Sequence, residues 1–172
     1  MKPGFRPYEG GCTCRSVRYR VTREPMIVHC CHCRWCQRET GSAFVLNAIV
    51  EADQVALLQG CLDVVLTPSE SGKGQKISRC PDCRVALWSN YPFTGEAAHF
   101  IRVGTLDDPD RWPPDVHIYT ESKQPWVVLP PAMPVFERYY VRAELWSRES
   151  LMRHAALDIP SRAESRSAKS RP

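Results

Sequence analysis

Seven of the nine cysteines fall into three short groups, and their spacing constrains this chain more than any other feature. Cys12 and Cys14 form a C-x-C pair, Cys80 and Cys83 a C-x-x-C pair, and Cys31, Cys33 and Cys36 lie in "CHCRWC". Nine is odd, so complete internal disulfide pairing is impossible, and "MKPGFRPYEGG" lacks the apolar core of a signal peptide. The expected compartment is the cytoplasm, where thiols stay reduced and a disulfide scaffold is disfavoured. A single C-x-x-C can also be a redox pair, but the βαβ pattern of a thioredoxin is missing.

The ligand counts of the groups differ. A C-x-C with a C-x-x-C supplies four thiolates, which complete a closed tetrahedral zinc site with sulfur at about 2.3 Å. Cys12, Cys14, Cys80 and Cys83 would then pin the N-terminal strand to the middle of the chain. Cys31, Cys33 and Cys36 give three thiolates on one turn and leave a position vacant, the arrangement of catalytic zinc. Two zinc ions per chain are therefore expected. Cys30 adjoins Cys31, and consecutive side chains diverge too far to share an ion. His29 and His32 are alternative ligands, more simply placed beside the site or at the surface. Cys61 has no local partner and reads as a small buried hydrophobe.

With 172 residues, 43% hydrophobic and 24% charged, the chain has the size and composition of one globular domain. No run approaches the roughly 20 apolar residues that span a bilayer, so no membrane association is expected. Three of the four net positive charges come from the segment after Trp146, and the rest is near neutral. Without a basic stripe, no nucleic-acid partner is expected. Short alternating or β-branched runs at 16–21, 43–50, 62–66, 99–104 and 116–119 predict strands. Fifteen prolines argue against a helical bundle. "SRESLMRHAAL" predicts a helix with Ser147 as N-cap, and the polar stretch after Pro160 reads as disordered. Residues 1–146 form the expected zinc-binding domain, and 147–172 a helical, then disordered extension.

The motifs "GGCTCRSVRY", "CHCRWCQRETGSAF", "CPDCRVALW", "VGTLDDP" and "PDVHIYTESKQPWVVLP" occur in the order seen in glutathione-dependent formaldehyde-activating enzymes. That family also includes the domain of centromere protein V. The resemblance runs from about Gly10 to Phe136. It implies a mainly β fold of small antiparallel sheets around zinc, similar to the Mss4-like or β-tent architecture. It implies a structural zinc on Cys12, Cys14, Cys80 and Cys83, and a catalytic zinc on Cys31, Cys33 and Cys36. The implied activity is formation of S-hydroxymethylglutathione from glutathione, or a similar thiol, and formaldehyde or another small aldehyde. Written in reverse, this is carbon–sulfur lyase chemistry.

Two positions depart from the family pattern: Arg15 and Arg84 stand where glycine usually follows the second cysteine of each structural pair. Their charge would offset the −2 of a four-thiolate zinc site if they faced the sulfurs; otherwise they point into solvent. Arg34, Arg38, Arg102 and Lys123 are candidate clamps for the glutathione carboxylates, each more simply a surface cation. Thr40 and Ser42 would line the pocket or end a short helix, Trp126 would be a packing residue or a substrate wall, and His117 a core histidine. The alternative function is a zinc-stabilised binding or scaffold module without turnover, its basic tail contacting an acidic partner. A homodimer is compatible with either.

Overall fold

Ten short strands carry the chain in a computed structural model that describes residues 6–157 and 159. They are β1 (Tyr8–Gly11), β2 (Arg18–Val21), β3 (Ile27–Cys31), β4 (Val45–Glu51), β5 (Val55–Gln59), β6 (Asp63–Thr67), β7 (Gln75–Arg79), β8 (Ala86–Asn90), β9 (Ala98–Arg102) and β10 (Val116–Ile118). Three helices, α1 (Arg34–Thr40), α2 (Arg142–Leu145) and α3 (Arg148–Ala155), complete the regular structure beside single 3-10 turns. No helix among the described residues is long and apolar enough to cross a membrane.

The strands form an antiparallel sheet in the order β1-β2-β5 and a second sheet in the order β10-β3-β4-β9-β8-β7-β6. The expected class holds: mainly β, antiparallel, with the cysteine groups between strands. The second sheet is larger than expected, at seven strands, and its β10 edge runs parallel to β3. A parallel neighbour cannot be reached by a tight hairpin. Here the proline-rich 107–115 segment makes the crossover, and Asp115 Oδ2 receives the Val28 N–H at 2.7 Å to fix its end.

The pleat sorts side chains onto two faces. On one face Val28, Ala48 and Ile101 join Val17, Tyr19, Leu87 and Trp112 in a core beneath the smaller sheet. On the other, Ile27, Cys31, Ile49, Phe100 and Ile118 meet Tyr140, Trp146 and the partly buried Leu151 from the C-terminal segment. That segment is tied down by polar contacts as well. Trp146 Nε1 donates to Tyr140 Oη at 2.6 Å, Ser150 Oγ donates to the Met26 carbonyl at 2.7 Å, and Arg153 pairs with the nearly buried Glu51 at 2.6 Å. Ser147 is the N-cap of α3, its Oγ accepting the Ser150 N–H at 3.0 Å. The stretch after Pro160, expected to be disordered, lies outside the described residues.

Candidate metal centres and active site

Cys12 and Cys14 sit on the turn from β1 to β2, Cys80 and Cys83 on the turn from β7 to β8, so this group joins the two sheets. All four sulfurs lie within 4.8 Å of one another, with Cys12 and Cys14 3.4 Å apart and Cys14 and Cys80 3.6 Å apart. The two turns are built alike. Cys12 N–H reaches the Val17 carbonyl and Arg15 N–H the Cys12 carbonyl, both at 3.1 Å; Cys80 N–H reaches Val85 at 3.0 Å and Arg84 N–H reaches Cys80 at 3.1 Å. Arg15 and Arg84 both have φ of 63°, the left-handed conformation that glycine adopts without steric cost. The Arg84 guanidinium turns outward to Asp63, and Arg15 is exposed. The Ser16 hydroxyl and N–H, together with Cys12, hold the Cys14 thiol down to about 6. Backbone N–H groups hold Cys83 low, while burial pushes Cys80 up to about 11.

Cys31 ends β3, Cys33 is the N-cap of α1 and Cys36 follows in its first turn, where its N–H donates to Cys33 Sγ at 3.3 Å. Gly41, with φ of 64°, ends α1 in the left-handed conformation and returns its N–H to the Gln37 carbonyl at 2.8 Å. The three sulfurs are buried and within 4.8 Å of one another. Thiol donors on Cys31 and Cys36 hold Cys33 down to about 3. Cys31 is driven up by its bonds to those neighbours and by burial. Cys36, pulled down by Cys31, is nevertheless pushed up to about 12 by Cys33 and burial. Three buried thiolates so close together repel one another and coexist only around a cation. A soft donor set of three sulfurs with room for a fourth ligand fits zinc. The turn is braced from below: Gln37 Nε2 donates to the His32 carbonyl at 2.6 Å and the Ser122 carbonyl at 2.9 Å.

Over the trio lies a cavity of about 70 Å³, walled by Trp35, Tyr91, Phe93, Phe100, Tyr119 and Tyr139, with Asn47 and Glu70 among its polar groups. Asn47 is a buried polar residue on β4. Its side-chain oxygen faces the donor-only Arg102 guanidinium, which also donates to Ser89 Oγ at 3.0 Å. That orientation turns the Asn47 NH2 group away from Arg102. His29 also lines the cavity, paired with Tyr140 Oη at 2.6 Å, and burial lowers its ring to about 3, so it is neutral.

The other sequence candidates are distributed away from this centre. Cys30 and His32 project to the opposite face of β3, where they and His117 form a third close group. His32 Nε2 and His117 Nδ1 are 2.9 Å apart, shorter than the about 3.3 Å that two nitrogens keep across a tetrahedral ion. Their outer nitrogens lack the acceptors that metal-bound histidines ordinarily have, so the pair is a hydrogen-bonded core contact. Arg34 donates to Gln37 at 2.8 Å, Arg38 and Ser42 share a shallow outer surface, and Lys123 donates to the Val127 carbonyl at 2.8 Å. None of the four candidate clamps lines the cavity. Thr40 bonds the Cys36 carbonyl at 2.8 Å at the end of α1, and Trp126 is exposed. Cys61, expected to be buried, is exposed, because the β5–β6 connection carries it along the outside. Sequence reasoning missed Asn47, Glu70 and the tyrosines. A polar residue inside the apolar run "AFVLNAIV" was the one available signal.

Comparison with known proteins agrees with the cysteine pattern. The family profile described as "Glutathione-dependent formaldehyde-activating enzyme" matches residues 7–122. A Penicillium rubens protein named "Putative glutathione-dependent formaldehyde-activating enzyme" is 29% identical over 119 residues, 63% of this chain. The match spans 59% of the length of that relative. A crystal structure of a Rhodobacter sphaeroides protein aligns with 74% of this chain and 98% of its own, at 13% identity and a TM-score of 0.43, a loose likeness.

Proposed function

Since the chain belongs to the glutathione-dependent formaldehyde-activating enzyme family by its match over residues 7–122, we propose that it adds a thiol reversibly to formaldehyde or another small aldehyde. In the reverse direction this is a carbon–sulfur lyase reaction. The observation that carries the reading is the convergence of three buried cysteine sulfurs beneath a small aromatic cavity. The scaffold alternative would favour a fourth protein donor closing the trio. Among the described residues no further cysteine, histidine or carboxylate joins it.

In this reading Cys31, Cys33 and Cys36 hold a zinc ion, and Cys12, Cys14, Cys80 and Cys83 a second, structural one. Bound at the trio, zinc would supply a position where a substrate thiol is held as thiolate. The chain's own residues do the rest. The thiolate pair attacks the carbonyl carbon, the C–S bond forms as the C=O π pair moves to oxygen, and the proton released by the thiol ends on that oxygen. The Asn47 NH2 group, fixed by Arg102, donates a hydrogen bond to the oxygen as its charge develops. The aromatic walls exclude water that would hydrate the aldehyde.

The test is exchange of formaldehyde with its thiol adducts, followed by NMR for a panel of small thiols with metal-replete protein. Acceleration over buffer for at least one thiol, lost in Cys33→Ser, is expected. Protein that contains two zinc equivalents and accelerates no thiol would overturn the proposal.

A further inference from the structure

Glutathione carries two carboxylates, which are received most strongly by cations. Among the described residues, the cavity over the trio has none. No described lysine or arginine lines it, and the acidic Glu70, on the β6–β7 turn, stands among its polar groups. The nearest candidates are committed elsewhere. Arg34 is bonded to Gln37, and Arg102 lies buried against Asn47 and Ser89. Lys123 is spent on the carbonyls of Gln124 and Val127. Arg138, on the C-terminal segment, is paired with Glu121 at 3.1 Å. Three thiolates around a divalent ion leave −1, so with Glu70 the centre repels a dicarboxylate.

What the cavity offers instead is aromatic surface. The small space of about 70 Å³ over the trio is open toward its rim and admits the reacting sulfur and its one-carbon partner. The body of the thiol must then rest against the rim, where Trp35, Phe93 and Tyr139 are 38%, 40% and 40% exposed. Tyr139 comes from the C-terminal segment, beyond the residues that match the family, and is held by stacking on Tyr140 at 4.7 Å.

We propose that the site takes a neutral, apolar thiol, aryl or alkyl in its body, in preference to glutathione. The inference rests on the thiol–aldehyde reading above and names the substrate class of that site. Its test measures binding apart from turnover. Benzyl mercaptan and glutathione are titrated into metal-replete protein, with Trp35 at the rim contributing to the fluorescence readout, and formaldehyde exchange is measured for both. Benzyl mercaptan should bind about tenfold more tightly or better, a gap built from rim contact and charge repulsion. Glu70→Lys should narrow the gap by strengthening glutathione alone, and Glu70→Gln should act in the same direction to a smaller degree. Glutathione binding equally or more tightly would overturn the inference, while turnover of either thiol would still uphold the lyase reading. Tight benzyl mercaptan binding without turnover of any thiol would uphold the pocket and overturn the lyase reading. Binding of neither would overturn the inference, and the lyase reading would fall only if no thiol of the panel were turned over.

Discussion

The two cysteine groups present the same donor atom in different settings, and the difference lies in what each is attached to. The quartet sits on two turns that belong to different sheets, with Cys14 exposed and Cys83 partly so. Its two turns share the apolar core that holds Val17 and Leu87, a backbone N–H of one turn reaches Cys83 on the other, and the four sulfurs meet between them. The trio lies within a strand end and the first turn of one helix, buried, and its turn is held by hydrogen bonds from Gln37 and Ser122. In the proposed reading, an ion at such a joint would add its binding energy to the cohesion of the two sheets. A site preformed by its surroundings can leave a coordination position for substrate.

The largest effect should come from breaking the joint. Zinc bound to thiolates contributes about 10–16 kcal/mol to folding in small zinc modules, and only the quartet spans separate sheets. Cys80→Ser is expected to give insoluble or loosely packed protein without near-UV circular dichroism. Cys33→Ser should stay folded, lose one of two zinc equivalents and lose activity. Equal solubility loss in both variants would remove the structural distinction between the groups.

The next largest effect concerns chemistry alone. If Asn47 donates to the developing oxyanion, Asn47→Ala should lower kcat by about 10²-fold, the usual effect of removing one such donor. Zinc content should remain at two. Asn47→Asp should be no better, because a carboxylate facing Arg102 has no N–H to offer the substrate. A variant that changes KM alone would make Asn47 a contact for the ground state.

These distinctions were unequally legible in the sequence. The ligand groups were visible because metal geometry fixes cysteine spacing locally. Alternating strands such as β2 were visible because one face is wet: Tyr19 and Val21 are buried while Arg18 and Arg20 are half-exposed. β3 was hidden, since "IVHCC" is buried on both faces and shows no period of two. The parallel pairing of His117 with Cys30 and the arrival of Tyr139 over the trio depend on contacts 87 and more residues apart in sequence. No local pattern encodes those. The residues that read as substrate clamps failed for a related reason: an arginine near a motif in sequence says little about which way its side chain turns.

A moderate effect separates the core beneath the quartet from the trio by acid. His99 lies on β9, packed on Trp88, with Nδ1 3.0 Å from Asn90 Nδ2, and burial lowers its pKa to about 4. Unfolding restores the ordinary value of about 6.5 and takes up a proton. The contribution of His99 is therefore fully present above about pH 6.5 and is lost as pH falls toward 4. The melting temperature should drop across that window, and His99→Gln, which cannot titrate, should flatten the drop. The same slope in both proteins would assign the acid response to the thiolates and the other histidines.

The smallest effect tests whether the quartet needs its arginines. Arg15 and Arg84 pay a left-handed conformation at φ of 63°, a cost of about 1–2 kcal/mol for a residue with a Cβ. Glycine would relieve it, but glycine also makes the unfolded chain more mobile, which returns about 0.4–1 kcal/mol. Arg84→Gly further loses the surface pair with Asp63, worth about 0–1 kcal/mol. The sum predicts a slight gain in stability for Arg15→Gly and almost none for Arg84→Gly. Because Arg84 turns toward Asp63 and Arg15 is exposed, zinc release to a chelator should change less than about twofold in the double variant, with little dependence on salt beyond ordinary screening. Many-fold faster release, growing as salt is lowered, would instead mean that the two guanidinium groups stabilise the thiolates, and that the quartet's cohesion includes its charged surroundings as well as its ion.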